Sequence, residues 1–323
     1  MDKTNLTDRT AATPPKKRKT GKIVSAVIAV IAGIVLLLLA AVTFWIPSVI
    51  MTGSRQTLDE AFAWQSEHYD TSFCEELKKT DYTVSADDGY LLHAELLENP
   101  SGPAPMTHCV ILSHGYTDNR MGSLKYVPTY LELGFSCIVY DLRGHGENEP
   151  DFTTYGIREG ADLNCVIRDT RARYPDLTVL GLHGESLGAA ATISCLKYKP
   201  QVDFAVADCG FSDIKSVLKE GYRSAGGMAF LIDLADLGAR IRYGYAIGDM
   251  RPIDSLDGNE IPILFIHGSE DRFILPKNSE EMAARTMGRA EVCLIPGAGH
   301  AESVLTDPAS YRAYVEAFLE RLP

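Results

Sequence analysis

Three things are scarce in this chain. None of its 7 cysteines falls at metal-ligand spacing from another, so no zinc site is expected. Positive charge is short: 31 Lys and Arg stand against 43 Asp and Glu, a net of −12. An acidic surface repels phosphate backbones, which argues against nucleic acid as a partner. Internal repeats and low-complexity blocks are missing as well, so no repeat array is in prospect. The cysteine count carries one more constraint. Cys109, Cys137, Cys195, Cys209 and Cys293 fall in apolar strand or helix patterns, and Cys165 in a helical one. They read as small buried hydrophobes, and an odd number does not suit a disulfide framework. Buried inert thiols, a cytoplasmic domain or an anoxic exterior each accommodate them.

The positive charge that exists is concentrated. Residues 1–22 hold seven Lys/Arg and two Asp/Glu, a net of +5, which leaves −17 for the remainder. Lys16-Lys17-Arg18-Lys19 sits there, behind Pro14-Pro15, which argues against a helix at that point. From Ile23 to Ile46 there is no charged residue. As a helix this run spans roughly 36 Å, enough to cross a bilayer with some tilt. It is longer than a secretory apolar region, and no small-residue cleavage site follows. Phe44 and Trp45 suit the far interface, and Pro47 is expected to end the span. With the basic cluster ahead of the span, the N-terminus is expected in the cytoplasm and the rest outside. The expected organisation is thus a basic tail (1–22), a transmembrane helix (23–46), a connector (47–79) and a main domain (80–323). In the connector, Leu58, Phe62 and Trp64 give a partly amphipathic helical pattern, suited either to the domain or to the membrane surface.

The domain is organised around residues 178–196. The apolar, β-prone run Thr178–Leu182 leads into Gly184-Glu185-Ser186-Leu187-Gly188, and a small-residue helical run follows at once. Strand, tight turn, helix is the context in which G-x-S-x-G makes a nucleophile elbow. Its glycines remove side chains where strand and helix nearly touch. Ser186 is then left at the apex, and the Leu187 N–H at a helix N-terminus, where it is placed to hold an oxyanion. The competing reading is a glycine-rich turn with an incidental serine.

A serine hydroxyl needs a base, and the base needs an orienting carboxylate. In elbow enzymes the chain order is Ser, then Asp or Glu, then His. The strand pattern Ile261–Ile266 runs into His267-Gly268-Ser269-Glu270-Asp271, and Glu291–Ile295 into Pro296-Gly297-Ala298-Gly299-His300. The predicted triad is Ser186, Asp271 and His300. Glu270 ranks second to Asp271, and Asp208, after the strand pattern Val202–Ala207, is a further alternative. His145, among glycines and ahead of the elbow, reads as a loop residue rather than a base. The second oxyanion donor is expected after the buried strand His108–Ser113, in His114-Gly115-Tyr116, from the Tyr116 N–H. The Tyr116 side chain is a candidate wall of the acyl or leaving-group pocket.

Around these, the pattern alternates. Tyr82–Val84 and Tyr90–Leu97 flank a hairpin turn at Asp87-Asp88-Gly89. Helices are predicted over Ser123–Leu133, Tyr155–Tyr174, Lys277–Met287 and Pro308–Leu322, with a strand over Phe135–Tyr140. In 212–260, Met228, Leu231, Leu234, Leu237 and Ile241 recur at helical spacing, flanked by Tyr222, Tyr243 and Tyr245. This stretch is either an ordinary sheet-covering helix or a small cap giving Ser186 an apolar pocket.

His114-Gly115-Tyr116, Asp141-Leu142-Arg143-Gly144-His145-Gly146, Gly184–Gly188, His267–Asp271 and Gly299-His300 together resemble the α/β-hydrolase superfamily, over about residues 80–323. The likeness is strongest to membrane-anchored bacterial members near the serine aminopeptidase-like and BEM46-like hydrolases. Asn148 departs from it, since related sequences often have Ser there. The resemblance implies an eight-stranded, mostly parallel sheet with one antiparallel strand and helices on both faces, and it implies no cofactor. The reading is a membrane-tethered serine carboxylesterase acting on a small-molecule ester. A peptidase or amidase with the same triad is the alternative, with Asp233 and Asp236 as candidates to bind an α-amine. A non-catalytic surface binding protein is the third reading.

Overall fold

The computed structural model describes residues 18–322; the tail expected over 1–22 therefore lies largely outside the described residues. The chain divides at Val42/Thr43 into two compact units.

A single helix, α1 (Arg18–Met51), begins in the first unit. Its stretch Gly21–Met51 has a mean hydropathy of 3.1 and is long and apolar enough to cross a membrane. In the first unit its large apolar side chains, Ile23 to Leu38, are exposed. Pro47 does not end the helix, contrary to the sequence expectation: α1 runs on to Met51 with the proline inside it. A proline removes one N–H and crowds the carbonyl four residues back, here that of Thr43. The continuation is held from outside instead. Met51 is fully buried, its carbonyl accepting from Thr153 N at 2.8 Å, and the Ile50 carbonyl accepts from Tyr155 and Tyr116 hydroxyls, each at 2.6 Å.

The second unit continues with α2 (Leu58–His68), α3 (Phe73–Glu76), β1 (Lys78–Ser85), β2 (Leu91–Glu98), β3 (His108–Ser113), α4 (Val127–Glu132), β4 (Ser136–Tyr140), α5 (Ile157–Arg173) and β5 (Val179–Glu185). Then follow α6 (Leu187–Cys195), β6 (Phe204–Asp208), α7 (Ile214–Ser224), α8 (Phe230–Tyr243), β7 (Ile263–Gly268), α9 (Lys277–Arg285), β8 (Ala290–Ile295), α10 (Ser303–Thr306) and α11 (Pro308–Leu319). The eight strands form one sheet in the order β1-β2-β4-β3-β5-β6-β7-β8. Only β2 runs against both of its neighbours, and every other adjacent pair is parallel. This is the sheet the resemblance implied. β4, β6 and β7 are buried along their whole length, and the Val, Ile, Leu and Phe they carry suit strands covered on both faces. The edge strand β1 is mostly exposed and carries Lys78, Lys79 and Asp81, charges that discourage further pairing.

The α2 pattern is open in sequence between the domain and the membrane surface, and the α8 reading is corrected. α2 exists, but Ala61 and Gln65 are its buried residues, while Phe62 and Trp64 are exposed. In α8 the packed positions are Ile232, Ala235, Gly238 and Ala239, and the stripe through Leu237 and Ile241 points to solvent. Periodicity had identified a common face in α8 but assigned it to the wrong side. The segment read as a connector is stitched to the domain: Gln56 N donates to Thr117 O at 2.9 Å, and Asn119 Nδ2 donates to the carbonyls of Gln56 and Thr57. All seven cysteines are free thiols, six of them buried. Burial pushes the Cys109 thiol up to about 12, as befits inert packing residues.

Candidate active site

Parallel strands deliver their carboxyl ends to one rim, and α/β sheets place their sites there. Ser186 follows β5, Asp271 follows β7 and His300 follows β8, so three residues far apart in sequence meet on that rim. The turn after β5 is tight. A Cβ on Gly184 would stand 2.1 Å from the Gly188 carbonyl oxygen, and one on Gly188 2.0 Å from that of Ser113. Any side chain at either position would push strand and helix apart. Ser186 takes φ 52°, the left-handed region that non-glycine residues rarely adopt. The turn is fixed by Ser186 N donating to Asp208 O (2.9 Å) and by the Ser186 carbonyl accepting from Ala190 N (3.0 Å).

The His300 Nε2 lies 3.0 Å from the Ser186 Oγ, and its Nδ1 lies 2.7 Å from the Asp271 Oδ2. Asp271 is fixed in turn. Its Oδ1 accepts from the N–H groups of Phe273 and Ile274, each at 2.9 Å. Its Oδ2 also faces the buried His267 Nε2 at 3.3 Å. That nitrogen faces the Ile274 carbonyl too, at 2.7 Å, so Nε2 carries the proton and Nδ1 accepts from the Ser279 hydroxyl. Burial opposes ionisation of Asp271. The hydrogen bonds from His267 and His300 outweigh it and hold the carboxyl well below the usual carboxylate range. Phe273, 60% exposed, stands edge-on to the His300 ring at 5.1 Å.

The other candidate acids and bases are engaged elsewhere. Glu270 is exposed, and its N–H donates to the Ala298 carbonyl. Asp208 is buried, its carboxylate accepting from the Ser303 hydroxyl at 3.1 Å, with the Tyr126 oxygen at the same distance. His145 is 1% exposed, its Nε2 2.6 Å from the Tyr116 carbonyl, and burial pushes its imidazole down to about 3.

The loop after β3 lies against the elbow. A Cβ on Gly115 would stand 4.0 Å from the Ser186 Cβ. His114 pins this loop: Nδ1 donates to the Gly115 carbonyl (2.7 Å) and Nε2 accepts from Leu142 N (2.9 Å), which fixes a neutral tautomer. Gly115 thus brings the loop after β3 beside Ser186, and Leu187, the first residue of α6, follows Ser186 directly. The Tyr116 phenol is engaged by the end of α1. Its hydroxyl accepts from Gly53 N (2.9 Å) and donates to the Ile50 carbonyl (2.6 Å). The acids suggested for an α-amine are also occupied, since Lys215 lies 3.1 Å from Asp233 and 3.0 Å from Asp236, and Lys219 lies 2.7 Å from Asp233. The positions therefore serve as internal ion pairs between α7 and α8.

Sequence reasoning missed a buried polar cluster behind the elbow. Lys125 Nζ lies 2.5 Å from Glu185 Oε2 and donates to the Ala301 carbonyl at 2.9 Å. The Tyr126 hydroxyl donates to the same Glu185 oxygen at 2.5 Å. Burial, with the Glu185 charge nearby, pushes Asp208 up to about 6. Burial pushes Asp118 up to about 6 as well. The sole signal in the sequence is the acidic residue at the first variable position of the G-x-S-x-G motif.

Comparison with known proteins agrees with this architecture. The model of the alpha/beta hydrolase family matches residues 110–314. The uncharacterized protein YqkD of Bacillus subtilis (strain 168) is 29% identical over 255 residues, 77% of this chain and 81% of its own length. Among solved structures, the esterase Pf2001 of Pyrococcus furiosus superposes with a TM-score of 0.64 at 21% identity, covering 78% of this chain and 94% of that one. Est1E of Butyrivibrio proteoclasticus, solved with ferulic acid bound, gives 0.59 at 18% identity, covering 74% and 98%. At such identities the structural likeness speaks for the fold alone. With the family match extending over more than half of the sequence, from β3 into α11, the chain belongs to the alpha/beta hydrolase family.

Proposed function

We propose that the protein is a membrane-anchored serine hydrolase that cleaves carboxylic esters, with Ser186, His300 and Asp271 as its triad. The observation that carries this reading is the unbroken line from the Ser186 hydroxyl through His300 to Asp271, at 3.0 and 2.7 Å, with Ser186 held at φ 52°. One neighbour, Pf2001, is described as an esterase, which favours esters among acyl substrates.

The chemistry follows from the geometry. His300 Nε2 takes the Ser186 proton as Oγ adds to the acyl carbon. The N–H groups of Tyr116 and Leu187 hold the oxyanion, the latter at the positive end of α6. Asp271 stabilises the imidazolium, which protonates the departing alkoxide. Water, deprotonated by His300, then adds to the acyl-enzyme, and the proton returns to Ser186 as the acid leaves. Phe273 offers an apolar contact beside the imidazole, and the α7–α8 segment serves as a small cap. The basic residues ahead of the apolar run favour a cytoplasmic N-terminus and an external domain.

The test is Ser186→Ala. Hydrolysis of short p-nitrophenyl esters is abolished while the thermal unfolding transition stays in place, and a fluorophosphonate probe labels the parent protein at Ser186 alone. Undiminished turnover in the variant would overturn the assignment.

A further inference from the structure

α8 has two different faces. One packs on the end of α1: a Cβ on Gly238 would stand 1.8 Å from the Thr43 carbonyl oxygen and 3.2 Å from the Pro47 ring. Arg242 Nη1 donates to the Ser48 hydroxyl at 2.5 Å, and Tyr243 reaches the same oxygen at 3.4 Å. The two helices thus meet almost backbone to backbone over residues 43–48.

The other face is apolar and uncovered. Phe230, Leu234, Leu237 and Ile241 recur at i, i+4, i+7 and i+11. At about 100° per residue they share a stripe about 60° wide. Phe230, Leu237 and Ile241 are 49%, 52% and 62% exposed, and Met228, just ahead of the helix, is 59% exposed. On the same helical wheel Gly238 lies on one flank of this stripe, while Asp233, Asp236 and Arg240 lie on the other. The stripe therefore occupies the side of α8 between its contact with α1 and its charged edge.

The level of that contact is fixed by the sequence. The uncharged run from Ile23 continues to Ser54, and residues 43–48, where α8 crosses, begin about 30 Å along it, the thickness of a bilayer's hydrocarbon core. Phe44, Trp45 and Val49 are exposed there, and an exposed tryptophan at the end of an apolar span marks a membrane–water interface. A helix tied to residues 43–48 sits at interface depth, and its exposed apolar stripe has lipid as its neighbour. We infer that the Phe230–Ile241 stripe of α8 is seated in the surface of the bilayer that anchors the chain, so that the cap segment lies on the membrane. The inference rests on the anchoring proposed above. A second copy of the chain covering the stripe is the competing occupant.

The experiment uses the full chain in phosphatidylcholine nanodiscs, with an NBD fluorophore on single introduced cysteines: Leu237→Cys, Ile241→Cys, Leu36→Cys in the apolar run, and Lys197→Cys as an exposed control. The parent chain is labelled in parallel to subtract its native thiols. Labels at 237 and 241 are expected to be quenched by shallow doxyl lipids and shielded several-fold from iodide relative to 197, with 36 quenched by deep doxyl lipids. If 36 is lipid-quenched while 237 and 241 behave like 197, the docking is wrong and the anchor stands. If 36 is not lipid-quenched, the anchoring falls and the docking with it. Shielding of 237 and 241 from iodide without lipid quenching, with disulfide cross-linking of Leu237→Cys between chains, would assign the stripe to a second copy and overturn the inference.

Discussion

Lys125 and Glu185 form a buried ion pair, Nζ to Oε2 at 2.5 Å, with side chains only 5% and 8% exposed. Glu185 immediately precedes Ser186. The same ammonium donates to the carbonyl of Ala301, which immediately follows His300. Ser186 and Ala301 both hold positive φ, 52° and 62°. Such conformations persist where surrounding contacts over-determine them, and one ammonium here braces both. Lys125 is thus a positioning residue for the two loops that face each other across the site.

Removing that brace has a measurable consequence. Lys125→Met leaves Glu185 buried without its partner, a change expected to cost about 3–5 kcal/mol of stability. It also lowers kcat with KM little changed, because the Ser186–His300 distance loosens. Adding Glu185→Gln removes the stranded charge, so the double variant regains stability over Lys125→Met. Strict additivity of the two changes in a double-mutant cycle would refute the coupling.

The raised carboxyl of Asp208 gives a pH prediction with a definite sign. Its value is 3.8 in the unfolded chain and about 6 when folded, owing to burial and the Glu185 charge. The folded state holds the proton more tightly, so this group's contribution to stability is present below 3.8 and is lost as pH rises to about 6. Asp208→Asn removes this share of the decline and leaves those of Asp118 and Asp162, also raised to about 6 by burial. Urea midpoints measured across that window check it; a decline unchanged in the variant would refute the assignment.

Asp271 has the opposite sign and, in the proposed triad, a chemical role. Its depressed carboxyl stabilises the fold above the unfolded value and ceases to do so as acid protonates it. Asp271→Asn presents an amide to His300 and disturbs the tautomer that leaves Nε2 free for Ser186. In a triad of this kind the expected loss is about 10⁴ in kcat. Fluorophosphonate labelling slows in parallel. A loss confined to KM would assign Asp271 to substrate binding instead.

The strands of the sheet and the spacing of Ser186, Asp271 and His300 could be read from the sequence because both are local signals: apolar runs that end in polar, glycine-rich loops. The exposed side of α8 could not, since Leu237 and Ile241 show by periodicity that they share a face and nothing about what lies opposite. Packing selected Gly238 and Ala239 for contact because small residues allow close approach. Lys125 had no local signature either, as its partners lie 60 and 176 residues away in sequence. The helical continuation past Pro47 depended on Tyr116, Thr153 and Tyr155, again distant residues that no local rule brings together.

That last relationship yields a prediction about Tyr116. Its hydroxyl accepts from Gly53 N and donates to the Ile50 carbonyl, while its own N–H is a proposed oxyanion donor. The side chain therefore joins the segment leaving α1 to the loop beside Ser186, a link reinforced where Gln56 N meets the Thr117 carbonyl at 2.9 Å. Tyr116→Phe leaves the Gly53 N–H without an acceptor, at a cost of about 1–3 kcal/mol. Tyr155→Phe costs less, because the Ile50 carbonyl keeps its bond from Tyr116. The looser loop in Tyr116→Phe lowers kcat several-fold while KM for p-nitrophenyl esters holds. Kinetics and thermal unfolding on the same preparations decide between this and a pocket wall. A wall residue would shift KM and chain-length preference and leave stability alone, and that pattern would show the phenol facing substrate rather than the strap from α1.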